Sequence, residues 1–310
     1  MTDVRNSAIA LALAGALTCG MAQAGQRVFV SSTGNDANTA GGCVFAAPCR
    51  GFTAAMSVVD PGGEVVALDA AGYGVVTLTK SVTIVANPGF YAGVTASSGD
   101  GITIATASVN VILRGLNING IGGVNGINMS NGASLTLENC VISNFSQSGV
   151  RIDAPSAKVK IANTVLSGNG GDGLLVFQGK ADVVGSRANG NGRAGFGAIV
   201  LSPGTVVAAL SVTDSTASGN QYGFAASGNG PGVTVNLTAN RVAGTSNTAD
   251  GLRVESVGGA SSTGDVGNSM FTQNLNGMNN AGGILRSMGN NIVDLNGTNT
   301  VGTISALGGL

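Results

Sequence analysis

From Gly101 onward, apolar and polar positions alternate in short runs that recur about every 25 residues. The runs open at Gly101-Ile-Thr-Ile, Gly126-Ile-Asn-Met, Gly149-Val-Arg-Ile, Gly173-Leu-Leu-Val, Gly195-Phe, Gly223-Phe, Gly251-Leu-Arg-Val and Gly277-Met. Successive openings are 22 to 28 residues apart, inside the window of solenoid repeats. Each unit carries short strands with period-2 alternation and no segment long enough for a crossover helix. Parallel strands without intervening helices imply a coil. The pattern therefore predicts an all-β fold, a parallel β-solenoid whose backbone ladders close between coils and whose inward apolar residues form one continuous core.

A second column supports the same register. Aligning the units on their second turn brings together Gly115, Asn139, Asn163, Gly185, Asp214, Asn240, Asn268 and Asn290. Gly, Asn and Asp visit the left-handed region at least cost, so the column marks a tight bend between strands. Stacked Asn side chains can also hydrogen-bond along such a column. Before the coils, Phe52, Ala55, Met56 and Val59 fall at helical spacing and Asp60-Pro61-Gly62-Gly63 ends the run. This predicts a short amphipathic helix that covers the open end of the solenoid. The far end, from Gly297 to Leu310, shows no comparable helix.

Composition narrows the class. The chain has 52 glycines, 9% charged residues, and neither Trp nor His, yet 43% of it is apolar. A disordered linker would lack that apolar fraction and collagen would place Gly at every third position, which leaves a Gly-tolerant packed β structure. A formal net charge of -1 with scattered basic residues gives no electrostatic reason to expect nucleic acid.

Residues 1–24 read as a secretory signal: Arg5 in the polar start, an apolar stretch from Ala8 to Leu17, and the small-residue exit Ala22-Gln23-Ala24. The apolar run falls short of the roughly 20 residues a membrane span needs. Cys19 follows Ala16-Leu17-Thr18, a poor match to a lipidation site. The expected organisation is a signal over 1–24, an N-terminal cap with a disulfide loop and short helix over 25–63, and a β-helix domain over 64–310. Export permits disulfides, and Cys43 and Cys49 flank a short Pro-containing loop, so we expect them bonded. Cys140 shares a column with Thr164, Ser186 and Ser215 and reads as a small structural residue.

The opening Val28-Phe-Val-Ser-Ser-Thr-Gly-Asn-Asp36, the loop ending Pro48-Cys49-Arg50, the capping helix and then Gly63-Glu-Val-Val resemble the start of exported bacterial right-handed parallel β-helix proteins of the pectate-lyase-like superfamily. The resemblance covers nearly all the chain after residue 24. It implies a single-stranded right-handed parallel β-helix, and it implies no single activity, since the superfamily includes polysaccharide lyases, glycoside hydrolases, epimerases and adhesins.

In the enzymes of that superfamily the substrate lies along the outer face of the strand that opens each coil. In Gly149-Val-Arg-Ile-Asp153 the apolar pair points inward and leaves Arg151 and Asp153 outside; Gly251-Leu-Arg-Val-Glu255 repeats this with Arg253 and Glu255. These four are the candidate substrate-face residues. The two motifs are four coils apart, about 19 Å by strand spacing, so no single sugar ring bridges them. Ser130 and Phe177 fall at the positions equivalent to Asp153 in the adjoining coils, so no second carboxylate is expected beside it. The paired carboxyls of a glycosidase and the oxygen cluster of a calcium site are both missing from this face. Without His there is no imidazole acid, base or metal ligand. Asp100, Asp172 and Asp250 each precede a coil-opening glycine and read as turn residues. Lys160 is expected beside Asp182, and Lys158 beside Lys180, as surface pairs.

The sequence thus yields no catalytic group, no metal site and no cofactor. The leading expectation is an exported, monomeric or weakly associated solenoid, secreted, periplasmic or at the cell surface, whose strand faces contact polysaccharide or another envelope component. The alternative is a polysaccharide lyase or related carbohydrate enzyme using Arg151 and Asp153, where an Arg neutralises a uronate and the carboxylate abstracts a proton.

Overall fold

The computed structural model describes residues 26–308; the proposed signal over 1–24 lies outside the described residues. The chain winds into a parallel β-solenoid of about nine turns with little helix. A typical coil has three strands, as in Ile102–Ile104, Asn110–Arg114 and Leu116–Gly120. Each strand pairs in parallel with its counterparts in the coils above and below. The opening and second strands form a 20-stranded sheet, and the third strands a 10-stranded one.

The predicted register holds at every opening strand. Ile102, Ile127, Val150, Leu174, Phe196, Phe224, Leu252 and Met278 stack as successive partners. All eight are buried, because a one-residue slip would turn the apolar set to solvent. The glycines that precede them are required by close approach. A Cβ at Gly126 would sit 2.5 Å from the carbonyl oxygen of Gly149, and one at Gly173 would sit 2.5 Å from that of Gly195.

The bend between second and third strands is left-handed at Gly115, Asn139, Asn163, Gly185, Asp214 and Asn268, as expected. Two members of the predicted column differ. Asn240 still belongs to its strand, paired with Gly267, and the left-handed residue is Arg241 at φ 51°. Arginine has no intrinsic preference for that conformation; here its guanidinium is held by both oxygens of Asp214 in the preceding coil, at 2.6 and 2.8 Å. Asn290 is not left-handed either, although its side-chain nitrogen donates to Asn268 Oδ1 at 2.8 Å.

The principal asparagine ladder is a different, buried column. Asn169, Asn191, Asn220, Asn247, Asn274 and Asn296 stack so that each Nδ2 donates to the Oδ1 of the next at 2.9 to 3.2 Å. The same oxygens also accept the backbone N–H of the preceding Asn. The second amide hydrogen reaches a main-chain carbonyl one coil earlier, as from Asn191 to Leu166 and from Asn220 to Ala188. From Asn191 to Asn274 every amide hydrogen is thus bonded, so the polar row can run through a region where an unpaired amide would cost about 1–3 kcal/mol. Beside it, Cys140, Thr164, Ser186 and Ser215 form the expected small-residue column. The backbone N–H groups of the first three donate to the hydroxyls of the residues that follow them.

At the N-terminal end the helix is Phe52–Val58, with Phe52, Ala55, Met56 and Val59 buried against the first coil. Cys43 and Cys49 are disulfide-bonded. Strand Arg27–Val30 joins the ladder through Gly63–Ala67. Asp69 ties this end together by accepting from Ser31, Ser32 and Tyr73. Burial alone would raise its carboxyl, but those hydrogen bonds outweigh it and hold the group at about 2.

Candidate functional site

The alternation that buries Val150 and Ile152 turns Arg151 and Asp153 outward, and the same rule turns Arg253 and Glu255 outward, partly buried, beside the buried Leu252 and Val254. Each pair closes on itself. Arg151 Nη2 donates to Asp153 Oδ2 at 2.7 Å, and Arg253 Nη2 to Glu255 Oε1 at 2.6 Å. The strand register places the two pairs four coil steps apart, so the structure does not bring them into one catalytic cluster.

Asp153 has a neighbour the register of the sequence did not anticipate. A bulge between Ile152 and Asp153 pairs Asp153 with Gln178 in place of Phe177, and Gln178 Nε2 donates to Asp153 Oδ1 at 2.6 Å. The cause is local: coil 150 turns its corner through Ala154-Pro155-Ser156-Ala157, where coil 174 has only Gly179. Phe177 instead presents its ring to the Arg151 guanidinium, 5.4 Å from the ring centre.

The second pair has a mirrored arrangement and a deeper foundation. Arg253 lies 5.3 Å from the centre of the Tyr222 ring, in the preceding coil. Its Nη1 donates to Asp250 Oδ2 at 3.0 Å, and Asp250 also accepts from Asn276 and Asn279. Ser227 donates to Glu255 Oε2 at 2.7 Å. Burial would raise Glu255, but the bonds from Arg253 and Ser227 outweigh it and hold its carboxyl below the usual range. Opposing charges likewise raise Arg253 despite its burial. Asp250 is 1% exposed, so its part in orienting Arg253 goes beyond the turn role expected of it. The signal was present in the sequence: Asp250 lies three residues before Arg253, and its residue type is opposite in charge.

Both aromatic rings lie between the two arginines. In the coils separating them, Leu175, Ala194, Ile199 and Ala225 form a small second apolar cluster, itself buried, with Tyr222 packed against it. Ile199 lies flat because Gly197 has no side chain; a Cβ there would meet Ile199 Cδ1 at 2.8 Å. At the edge of this cluster, Arg193 donates to both oxygens of the buried Asp172. Along the axis, Arg151 is thus followed at the same outward position by Leu175, Gly197, Ala225 and Arg253.

A groove of about 460 Å³ lies on the other side of the corner, over the second strands, lined by Thr136, Glu138, Lys160, Asp182, Ser211 and Arg241 among others. Register confirms Lys160 beside Asp182 and Lys158 beside Lys180. Among the described residues no group of three or more His, Cys, Asp or Glu could hold a metal ion, and no helix is long and apolar enough to cross a membrane. Cys140 is buried, and that burial pushes its thiol up to about 11, which removes it as a nucleophile.

Comparison with known proteins agrees with this architecture. The family described as "Right handed beta helix region" matches residues 92–242. Among solved structures, pectate lyase Pel9A superposes with a TM-score of 0.63 at 19% identity, covering 91% of this chain and 78% of the lyase. Tailspike protein 2 from Escherichia coli O157:H7 bacteriophage CAB120 superposes with a TM-score of 0.52 at 14% identity, covering 84% of this chain and 39% of the tailspike. Among curated proteins, none matches at a significant level. At these identities the likeness is one of fold.

Proposed function

We propose that this pectate-lyase-like right-handed parallel β-helix protein binds a polysaccharide along the outer face of its opening strands and performs no chemistry on it. The observation that carries this reading is the paired arrangement of Arg151 with Phe177 and Arg253 with Tyr222 on the outer face of the opening strands. Aromatic rings suit the C–H faces of sugar rings, while arginines fixed by carboxylates offer oriented donors and acceptors to hydroxyls. Each guanidinium is already neutralised by its own acid, so the face favours hydroxyl recognition over charge recognition. Glu255, held below the usual range by Arg253 and Ser227, is ionised and committed, a poor general base near neutral pH. The disulfide and the lack of a membrane-length helix among the described residues are compatible with export, where such polymers are met.

Immobilised neutral and uronate-bearing glycans test the reading. Retention of at least one class, lost in Tyr222→Ala and Phe177→Ala together, is expected; no retention on any glycan would sink it. The lyase reading draws on the 2.7 Å contact of Arg151 with Asp153 alone. Unsaturated-product absorbance on uronate polymers, abolished by Arg151→Ala, would establish it in place of pure binding.

A further inference from the structure

Nine asparagines of the chain are directly followed by glycine. Asparagine is chemically labile because the next main-chain nitrogen can attack its carboxamide, and glycine, with no side chain, leaves that nitrogen least hindered. The attack needs a nitrogen free of the backbone ladder, a carboxamide held close to it, and water at the site. The solenoid withholds these from eight of the nine pairs. The amides of Gly126, Gly170, Gly190, Gly192, Gly230 and Gly297 donate to main-chain carbonyls of neighbouring coils at 2.7 to 3.0 Å, and Gly120 and Gly277 lie within strands. Several of the carboxamides are engaged as well: Asn125 bonds Asp100, Asn276 bonds Asp250, and Asn169, Asn191 and Asn296 belong to the buried ladder.

The ninth pair is Asn131-Gly132, at the corner between strands Ile127–Met129 and Ser134–Glu138. Asn131 is exposed, and the amide of Gly132 donates to its Oδ1 at 2.9 Å. Among the described residues that nitrogen has no main-chain acceptor. The chain on either side is nevertheless anchored in the preceding coil, Asn131 N to the Ile104 carbonyl at 3.3 Å and Ala133 N to that of Val109 at 2.9 Å. A Cβ at Gly132 would meet Met129 Cε at 2.8 Å, and its φ is 125°, so packing and backbone together hold the position to glycine. Oδ1 is bonded to the carbon under attack, and its contact with the Gly132 nitrogen keeps the two reacting atoms close to the roughly 3–3.5 Å of a near-attack arrangement.

We propose that Asn131 is a site of spontaneous deamidation, left open by a fold that shields the other eight Asn-Gly pairs. The Gly132 nitrogen, its proton taken by solvent hydroxide, forms a bond to the Asn131 carboxamide carbon. The bond from that carbon to Nδ2 breaks, and Nδ2 leaves with a proton as ammonia. Water then opens the resulting five-membered imide: cleavage at the side-chain carbonyl gives aspartate, and cleavage at the main-chain carbonyl gives isoaspartate, whose backbone is longer by one carbon. Water is the only co-reactant, and nothing is oxidised or reduced. The new carboxylate arises two positions after Met129, the register partner of Ile152, on the coil next to Arg151 and Asp153, and adds one negative charge to a chain of net charge -1. This chemistry is independent of whether that face binds a ligand.

The test ages the folded full chain in mildly alkaline buffer beside the same chain in urea, and follows each Asn-Gly pair by site-resolved peptide mass spectrometry, with isoaspartate scored by enzymatic methylation of its carboxyl. In the folded chain Asn131 is expected to show the amide-to-acid mass gain at least about tenfold faster than any other pair, since misplacing a reacting atom costs on the order of 10²-fold. In urea that lead should vanish. Asn131→Gln, an exposed change that keeps the carboxamide but would need a ring one atom larger, should abolish the fast exchange and leave the other pairs as they were. Equal rates at all nine pairs of the folded chain, or a faster exchange at another pair, overturn the proposal. A lead of the same size in urea assigns the preference to local sequence alone and overturns it too.

Discussion

Arg151 and Arg253 occupy the same place in the same local pattern, an inward apolar residue on either side and an acid two positions on, yet the two sites are built differently. Arg253 is tied to two acids, Glu255 and the buried Asp250, with Asn276 and Asn279 completing the shell of Asp250. Two positions before its opening apolar residue, coil 150 has Ser148 where coil 252 has Asp250. Arg151 accordingly has one acid, Asp153, and one amide, Gln178, around that acid. Its side chain is 29% exposed against 19% for Arg253. The local pattern therefore sets the outward direction of the arginine, and the stacked coils set how deeply it is held. A short motif on a solenoid is only half of a site; the other half is contributed by residues about 25 positions away in either direction.

Removing the third partner should expose this difference most clearly. Asp250→Ala leaves a guanidinium whose Nε already has no hydrogen-bond partner, together with two amides, without the carboxylate they share. Arg253 keeps Glu255, so the expected cost is that of losing buried hydrogen bonds to a charged group, about 1.5–3 kcal/mol. Asp153→Ala breaks a half-exposed pair and should cost less than about 1 kcal/mol. Urea unfolding midpoints of the two variants check this, and equal losses would show that the two sites are equivalent after all.

This contrast also marks where sequence reading succeeds on such a fold. Register was legible because inward positions such as Ile102, Val150 and Leu252 must be apolar, and period-2 alternation leaves a single phase that buries them. The helix stripe at Phe52, Ala55, Met56 and Val59 and the Cys43–Cys49 bond were legible because both are short-range. Contacts made one coil away were harder to read. The bulge that gives Asp153 to Gln178 arises from a difference in corner length, which a column alignment hides. Arg241 was passed over for Asn240 because the preferred left-handed residue stood next to the true one. The buried ladder was lost among many asparagines. Its mark is nevertheless present as Ser167-Gly-Asn169, Asn189-Gly-Asn191 and Ser218-Gly-Asn220, each just beyond a third strand.

Acid titration sharpens the comparison at intermediate effect. Glu255 is held below its ordinary value of 4.5 in the folded chain, by bonds from Arg253 and Ser227 that overcome its burial. A carboxyl with a depressed folded value adds stability that is fully present above about pH 4.5 and is lost as pH falls through the lower folded value. In Glu255→Gln this part of the acid dependence should disappear. The stability difference between the parent chain and the variant is thus expected to be constant above pH 5 and to shrink below it. Thermal melts from pH 3 to 6 measure this, and a difference that does not change with pH would detach Glu255 from the arginine.

The smallest expected effect concerns the rings beside the two arginines. Phe177 and Tyr222 stand at similar distances from their arginines, 5.4 and 5.3 Å, so the intrinsic attraction in the two contacts is alike. Both rings also pack on buried apolar side chains, Tyr222 on the cluster of Leu175, Ala194, Ile199 and Ala225 and Phe177 on the main core. For a partly exposed cation over a ring the attraction is about 0.5–1 kcal/mol, and truncation of either ring adds lost apolar contact. In a double-mutant cycle with the matching arginine changed to Gln, the two coupling energies should agree within about 0.5 kcal/mol. A coupling confined to Tyr222 and Arg253 would show that only the buried site uses its ring to hold the arginine, and Phe177 would then serve the core on which it packs.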